Sequence, residues 1–152
     1  MTLIVANAPY DALMGGTSHL RGIERNAIWR NLIGPGSRAV MTTTEQAVLE
    51  EQLVADLRMT VARYNNDLSL TRLVSELSAQ RPRFTELWES NEPARTTTPS
   101  RSKVIDHPSV GRITVDCDTL VVAADDLRIM IYTAEPRTKD ADLLALAVVL
   151  GS

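Results

Sequence analysis

The sequence feature that most constrains the fold is a change of hydrophobic periodicity near residue 91. Before this point apolar residues recur every three to four positions, which is typical of amphipathic helices. After it, Ile113, Val115 and Cys117 alternate with polar residues, as in a strand with one buried face. A chain that passes from helices to consecutive strands is expected to form an α+β fold.

Six segments are predicted to be helical, each from apolar spacing and from capping, proline or glycine signals at its ends. They are a short helix between Asn7 and Gly15, a helix from about Arg21 to Ile33, a long helix from Thr42–Thr44 to Asn65, a helix from about Leu68 to Gln80, a short helix opened by Pro82, and a terminal helix from Asp140 to Leu150. The long helix carries the clearest apolar stripe: Leu49, Leu53, Leu57, Val61 and Tyr64.

Runs rich in β-branched residues predict the strands. They are Leu3–Ala6, Lys103–Asp106, Arg112–Asp118, Leu120–Ala124 and Leu127–Thr133. Residues 107–111 and 124–126 contain the proline, glycine and aspartate typical of hairpin turns, so an antiparallel sheet is expected. An apolar strand at Leu3–Ala6 without a neighbour would be an exposed edge, which predicts pairing between two copies of the chain.

Composition narrows the class of protein. With 152 residues and 44% hydrophobic side chains, one compact domain over residues 1–152 is expected. A net charge of −3 argues against binding of nucleic-acid phosphates by these residues. The single cysteine excludes an intrachain disulfide and favours the cytoplasm, and no apolar run predicts a signal peptide or a membrane span.

The residues that could carry catalysis or metal binding are few. His19 and His107 are far apart, and neither has a partner at metal-ligand spacing. Asp106, His107 and Ser109 could be imagined as a hydrolytic trio, but neighbouring residues of one turn rarely converge as base and nucleophile. Cys117 shares a strand face with apolar residues and is expected to pack in the core. No enzyme activity and no metal site are therefore predicted.

Two groups of residues are open to either a structural or a ligand-binding role. Trp29, Phe84 and Trp88 lie on predicted helices, where they would pack in the core or line an apolar cavity. Arg25 and Asn26 would be solvated or capping residues, or would meet a ligand carboxylate.

Seven short motifs, considered together and in order, carry a family resemblance. They are Asn7-Ala8, Glu24-Arg25-Asn26, Val54-Ala55-Asp56-Leu57-Arg58, Leu73-Val74-Ser75-Glu76-Leu77-Ser78, Phe84-Thr85-Glu86-Leu87-Trp88, His107-Pro108-Ser109-Val110-Gly111 and Tyr132-Thr133-Ala134-Glu135-Pro136. In this combination, over nearly the whole chain, the sequence resembles the MmyB-like ligand-binding domain of bacterial transcription regulators.

The resemblance implies a PAS-like antiparallel sheet packed against several helices, enclosing a small apolar molecule such as a fatty acyl chain. Such domains normally follow an Xre-type helix-turn-helix domain, which these residues do not include, so DNA would be contacted only through a domain outside this chain. The sequence also departs from the family at Cys117, at Met41–Thr43 and at Arg137-Thr138. These differences leave the effector's identity open.

The predicted function is therefore that of a cytoplasmic ligand-sensing domain, a homodimer with no cofactor other than a fatty-acid-like ligand and no membrane contact. Arg25 and Asn26 are predicted to bind the polar end of the ligand. The predicted apolar lining consists of Trp29, Leu57, Val61, Phe84, Trp88, Val115, Ile129 and Ile131. The alternatives are a dimerisation domain whose own side chains fill the cavity and, less favoured, a small hydrolase using His107.

Overall fold

The structure is a computed structural model that describes residues 1–90, 93–95, 101–122 and 126–151. In chain order the helices are α1 (Ala8–Met14), α2 (Ala27–Leu32), α3 (Thr43–Arg63), α4 (Leu68–Gln80), α5 (Pro82–Glu89) and α6 (Lys139–Leu150), and the strands are β1 (Ala39–Val40), β2 (Ser102–His107), β3 (Gly111–Val122) and β4 (Leu127–Thr133). The predicted α+β class is confirmed.

The chain forms two compact units. A helical unit contains residues 1–5, 18–37 and 41–97, and a sheet unit contains residues 6–17, 38–40 and 98–152. In the helical unit lie α2 to α5, whereas the sheet unit combines the strands with α1 and α6. The single domain expected over residues 1–152 stays a prediction.

α3 and α4 begin where the sequence predicts, because capping side chains are present. Thr42 Oγ1 accepts a hydrogen bond from the Glu45 backbone N–H at 3.2 Å, and Glu45 Oε2 accepts one from the Thr42 N–H at 2.7 Å. This reciprocal pair satisfies two donors that the first turn of α3 leaves unbonded. At α4 the Asp67 carboxylate accepts hydrogen bonds from the backbone N–H groups of Ser69 and Leu70. Hydrogen bonds from the Ser69 hydroxyl and from these N–H groups lower the pKa of this carboxyl.

Each of these four helices contributes to one apolar core. Its buried members are Ile28, Leu32, Val54, Leu57, Leu73, Leu77 and Phe84. They recur at the helical spacing seen in the sequence, so the stripe on each helix is the surface that packs.

The helix predicted from Arg21 to Ile33 is interrupted. A 3₁₀ helix runs over Gly22–Arg25, and Asn26 then leaves the helical region with φ −83° and ψ 130°. The Asn26 side chain accepts a hydrogen bond from the Ile28 N–H at 3.0 Å, which begins α2. Asparagine favours this capping conformation over a helix interior, and this preference divides the predicted helix in two.

The strand predicted at Leu3–Ala6 is wrong. Residues 3–6 are not a strand: the preceding residue, Thr2, makes an isolated antiparallel bridge with Asn26, and the Leu3 N–H donates to the Arg25 carbonyl. Ile4 and Val5 are 68% and 81% exposed. Because this segment is not a strand, the prediction that two copies of the chain pair through an edge strand at Leu3–Ala6 loses its basis.

All four strands form one antiparallel sheet in the order β1-β2-β3-β4. The predicted turn at residues 107–111 is confirmed, with His107 paired to Gly111 and Gly111 at φ +81°.

The two strands predicted at Arg112–Asp118 and Leu120–Ala124 are instead the single strand β3. Its first half pairs with β2 and its second half with β4, so Asp118 and Thr119 lie inside a ladder. Of the predicted second turn, Ala124 and Asp125 lie outside the described residues.

One face of the sheet, the inner face, forms the core of the sheet unit. Ile105, Ile113 and Val115 are buried there with Leu13 and Met14 of α1 and Ala147 of α6. Cys117, on the same face, is only half-buried. The two helices also approach each other closely, since a Cβ at Gly151 would lie 2.4 Å from the Ala12 Cβ.

The burial difference along β3 predicts a stability difference. Replacing Ile113, which is fully buried, with alanine is expected to lower the free energy of unfolding by about 2–5 kcal/mol. Val121 lies on the same face of the same strand but is 65% exposed, so Val121→Ala should change it by roughly 0.5 kcal/mol or less. Urea denaturation of both variants measures the difference, and equal losses would contradict the assignment of the core.

Candidate functional site

Five of the predicted lining residues belong to the core of the helical unit. Leu57 and Phe84 are buried there, and Trp29, Val61 and Trp88 pack against it. The rings of Phe84 and Trp88 are stacked, with centroids 5.4 Å apart. The structure thus brings these five residues into one apolar cluster, whose contact with a ligand stays a prediction.

The two residues predicted to bind a polar ligand end have other partners in the structure. Asn26 is buried, with its side-chain oxygen capping α2 and its amide nitrogen 3.3 Å from the Thr2 hydroxyl. The Arg25 guanidinium donates to the Ile4 carbonyl. Both side chains hold the N-terminal segment against the start of α2. Of the two roles considered for Asn26, helix capping is the one that its hydrogen bond to Ile28 shows.

A cleft of about 510 Å³ lies in the helical unit beside α3 and α5. Its walls are formed by Glu51, Val54, Ala55, Arg58, Arg83, Glu86, Leu87, Ser90, Pro93, Ala94 and Arg95. The charged groups in it are largely paired with one another. Arg95 contacts Glu51 at 2.7 Å, and Arg83 contacts Glu86 at 3.3 Å. The lining has three arginines and two glutamates, and the third arginine, Arg58, donates to backbone carbonyls. These contacts do not by themselves define a ligand.

The Glu51–Arg95 pair makes the stability of the folded state depend on pH. Two hydrogen bonds, from Arg95 Nε at 2.9 Å and Nη2 at 2.7 Å, hold the pKa of the Glu51 carboxyl below its usual value. A lowered carboxyl pKa stabilises the folded state above the unfolded pKa, and this contribution is lost as the pH falls through the folded pKa. Because Arg95 is exposed, solvent screening keeps the effect small.

Arg58 fastens the end of α5 to α3. Its Nη2 lies 2.7 Å, 2.8 Å and 3.1 Å from the carbonyl oxygens of Leu87, Trp88 and Ser90. Its guanidinium carbon is 5.8 Å from the centroid of the Trp88 ring. A cation at a helix C-terminus satisfies carbonyls that have no partner within the helix and opposes the negative end of the dipole. Arg58 therefore positions Trp88.

In the sheet unit, the register separates the remaining predicted lining residues. Val115 is buried on the inner face. Ile129 pairs with Leu120 and Ile131 pairs with Asp118, positions that alternation places on the opposite face from Val115. Val115 therefore shares neither face nor surroundings with Ile129 and Ile131.

The opposite face carries an apolar cluster, which we term the open face. Its members are Leu120, Val122, Leu127, Ile129 and Ile131, with Leu120 directly beside Ile129 and Val122 beside Leu127. Leu120 is 53% exposed, Ile129 44%, Ile131 39% and Val122 37%. Adjacent exposed aliphatic side chains on one surface, unlike scattered ones, mark an interaction or ligand-binding site.

A pair of acidic residues borders the open face. Arg101 Nη2 lies 2.8 Å from Asp118 Oδ2, and Arg101 Nε lies 3.7 Å from Asp116 Oδ2. One guanidinium between two carboxylates leaves this border net negative. The open face is therefore suited to the apolar part of a ligand and not to a carboxylate.

Both ring nitrogens of His107 have structural roles. The ring is buried, with Nε2 3.0 Å from the Ala12 carbonyl oxygen. Nδ1 faces the backbone N–H groups of Ser109, at 3.2 Å, and Val110, at 3.4 Å. This arrangement assigns the proton to Nε2 and makes Nδ1 an acceptor. Bonded in this way, His107 ties the β2–β3 turn to the end of α1, and the hydrolase alternative loses its candidate base.

Tyr132 lies on the inner face beside the half-buried Cys117. The two residues are directly paired across β3 and β4, and the Tyr132 ring lies 5.7 Å from that of Tyr10. Burial, followed by the neighbouring Cys117 and Tyr10, raises the pKa of the Tyr132 hydroxyl above its usual value. The phenol therefore stays protonated in the folded protein where an exposed phenol would ionise.

The described ranges contain neither a metal-binding cluster nor a membrane-spanning helix. Within them, no group of three or more His, Cys, Asp or Glu side chains could hold a metal ion. In the same part of the chain, no helix is long and apolar enough to cross a membrane.

The sheet unit thus has an apolar open face, and the helical unit has an apolar core and a cleft lined by charged residues. Residues 1–147 match the family model of the MmyB-like transcription regulator ligand binding domain, and the chain belongs to this family. The resemblance seen in the sequence is thus confirmed. Membership points to a regulatory, ligand-binding role and not to an enzyme. No curated protein and no solved structure matched the chain.

The roles of Arg58 and Leu120 depend on tertiary contacts that their sequence neighbours do not reveal. Arg58 was part of a family motif, but only the fold shows that its side chain reaches the end of α5. Leu120 belonged to a predicted strand, and its place beside Ile129 follows from the β3–β4 register. A signal for Leu120 does exist in the sequence. If β3 is taken as one continuous strand, odd-numbered residues such as Ile113 and Val115 share one face and Leu120 lies on the other.

Arg58 is expected to be important for stability. Arg58→Met should lower the free energy of unfolding by about 1.5–3 kcal/mol, because it leaves three carbonyls without their charged donor. Arg72→Met, at an exposed position on α4, serves as the control and should have almost no effect. Urea denaturation gives both values. Equal stability of the two variants would show that Arg58 does not anchor α5.

The raised pKa of Tyr132 predicts a loss of stability at alkaline pH. An unfolded tyrosine ionises near pH 10, while Tyr132 in the folded protein does not, so the unfolded state is favoured progressively above about pH 10. Tyr132→Phe should make the free energy of unfolding less dependent on pH in this range. Tyr64→Phe, at an exposed position, should keep the wild-type slope. Denaturation series at about pH 8 and about pH 11 compare the three proteins.

Proposed function

We propose that this chain is the effector-sensing domain of a bacterial transcription regulator, with a PAS-like fold, and that its effector is a small apolar, fatty-acid-like molecule. The domain acts in the cytoplasm and responds to the effector by altering DNA binding or dimerisation. The observation that carries the proposal is the open face of the sheet, in a chain whose family consists of ligand-binding domains.

The chemistry of the open face favours an apolar ligand. Leu120 and Ile129 lie side by side, and Val122 and Leu127 extend the same surface. Burying an aliphatic side chain of this kind fully is worth about 1.5–3 kcal/mol, so covering several partly exposed ones gives a substantial driving force. The negative border at Asp116 and Asp118 directs the effector's polar end away from this surface.

Regulation follows if the effector prefers one conformation of the domain. A ligand shifts a conformational equilibrium only by its difference in affinity for the two states. An effector that covers the open face favours the state in which this face is apolar and accessible to the ligand. Its binding energy is then available to change the position or pairing of attached DNA-binding domains.

Native mass spectrometry of the freshly purified chain tests the proposal. We expect a stoichiometric added mass of a few hundred daltons, which denaturing extraction should release as an apolar compound. A fluorescent long-chain fatty acid then provides a binding assay on protein from which this compound has been removed. If no added mass is found and the fatty acid does not bind, the proposal fails.

A pair of variants locates the effector. Leu120→Asn places a polar group on the open face and should weaken fatty-acid binding by about tenfold. Val121→Asn makes the same kind of change at the next residue, which is 65% exposed on the other face, and should leave binding unchanged. Circular dichroism confirms that both variants fold. Equal binding by the two would exclude the open face as the effector surface.

A further inference from the structure

The cleft beside α3 and α5 contains one cation without a matching anion. Each glutamate of its lining contacts an arginine, Glu51 with Arg95 at 2.7 Å and Glu86 with Arg83 at 3.3 Å. The third arginine, Arg58, bonds to neutral backbone carbonyls. In the part of the chain that the structure describes, Arg58 has no carboxylate partner. Its positive charge is therefore not balanced by a neighbouring side chain.

The Arg58 guanidinium also has donors to spare. Nη2 makes all three of its carbonyl contacts, at 2.7 Å, 2.8 Å and 3.1 Å. Among the described residues, Nε and Nη1 have no hydrogen-bond partner. Neither nitrogen is enclosed, because no buried side-chain nitrogen or oxygen in these residues lacks a partner. The N–H groups of Nε and Nη1 are thus accessible to an anionic oxygen, with which they would form charge-assisted hydrogen bonds.

The rest of the cleft suits a small apolar body. Val54, Ala55 and Leu87 line it, together with Pro93 and Ala94 of the segment after α5. Its volume of about 510 Å³ lies within the range of roughly 300–1,000 Å³ that is common for small-molecule sites. Apolar walls beside one uncompensated cation favour an organic anion over a neutral or a cationic molecule.

We infer that this cleft is a second ligand site, which binds a small organic carboxylate. Arg58 receives the carboxylate, and Val54, Ala55 and Leu87 contact the apolar part of the molecule. The site lies within the helical unit and uses no residue of the open face. It is therefore independent of the effector proposed above.

Arg83 adds a second cation to the cleft. Its side chain is 46% exposed and contacts Glu86, itself 66% exposed, at 3.3 Å and Glu50 at 4.0 Å. Exposed ion pairs of this kind contribute little stability, so a ligand carboxylate displaces either contact at small cost. Binding should weaken as the salt concentration rises, because salt screens charges that are partly exposed to solvent.

Nuclear magnetic resonance titration of the 152-residue chain with phenylacetate as the probe tests the site. We expect saturable binding with a dissociation constant in the millimolar range or below, and a shift of the Arg58 Nε–H signal. Phenylacetamide has a similar shape without the charge and should bind about tenfold more weakly or worse. If phenylacetate does not bind at millimolar concentration, or if the amide binds equally well, the inference is overturned.

Substitution of Arg58 by lysine tests the role of its guanidinium. Arg58→Lys keeps a cation near the carbonyls of α5 but loses the fork of N–H groups, and should weaken phenylacetate binding by about tenfold. Arg72→Lys makes the same change at an exposed position of α4 and should leave the dissociation constant unchanged. Wild-type affinity in folded Arg58→Lys would contradict the assignment of the carboxylate to Arg58.

Filling the cleft tests the site without altering a charge. Ala55→Trp places an indole among the lining residues and should abolish phenylacetate binding, whereas Met59→Trp, at a 67% exposed position of α3, should not. Circular dichroism checks that both variants fold. Leu120→Asn, on the open face, should bind phenylacetate as the wild type does. Loss of binding in Leu120→Asn with normal binding in Ala55→Trp would place the carboxylate on the open face and overturn the inference. Fatty-acid binding by Ala55→Trp tests the effector proposal separately.

Discussion

The alternation of side chains along β3 is the constraint on which the sheet unit depends. Ile113 and Val115 are buried against α1 and α6, and this burial fixes which face of the strand is inside. Because β3 continues without a break to Val122, the same parity places Leu120 and Val122 on the opposite face. The apolar open face is thus a geometric consequence of the core. A shift of one residue would exchange the two faces, so the core and the candidate effector surface depend on the same register.

Side-chain bonds to helix ends organise the rest of the molecule. Arg58 bonds the last carbonyls of α5, and Asn26 begins α2. In the sheet unit, the Ala12 carbonyl accepts hydrogen bonds from both His107 and Arg38. These arginine, histidine and asparagine side chains, which are residue types able to bind ligands or act in catalysis, hold helices in place. Arginine, histidine and asparagine side chains at prominent positions of this chain therefore have structural partners.

Much of the fold could be predicted because its signals are local. The long helix was recognised from its apolar stripe and from Thr42 and Glu45, and α4 has the predicted limits, Leu68 and Gln80. The errors arose where a local pattern had two outcomes. The apolar run at Leu3–Ala6 has strand-like composition but no partner, and the segment from Arg21 to Ile33 contains an asparagine that caps a helix more readily than it continues one. For the site, Ile129 and Ile131 were identified as apolar and strand-borne, but their separation from Val115 needed the register of β3 and β4.

The sequence by itself determined the class of fold, most helix limits, the turn at residues 107–111 and the family, because periodicity, caps, turns and motifs are properties of neighbouring residues. Only the tertiary structure decided which apolar residues are buried and which remain on an open face. It also showed that Arg58 and His107 bond to backbone carbonyls that are 29 and 95 residues away. The physical reason is that burial and long-range hydrogen bonds depend on which elements pack together, and residues distant in the chain determine that packing.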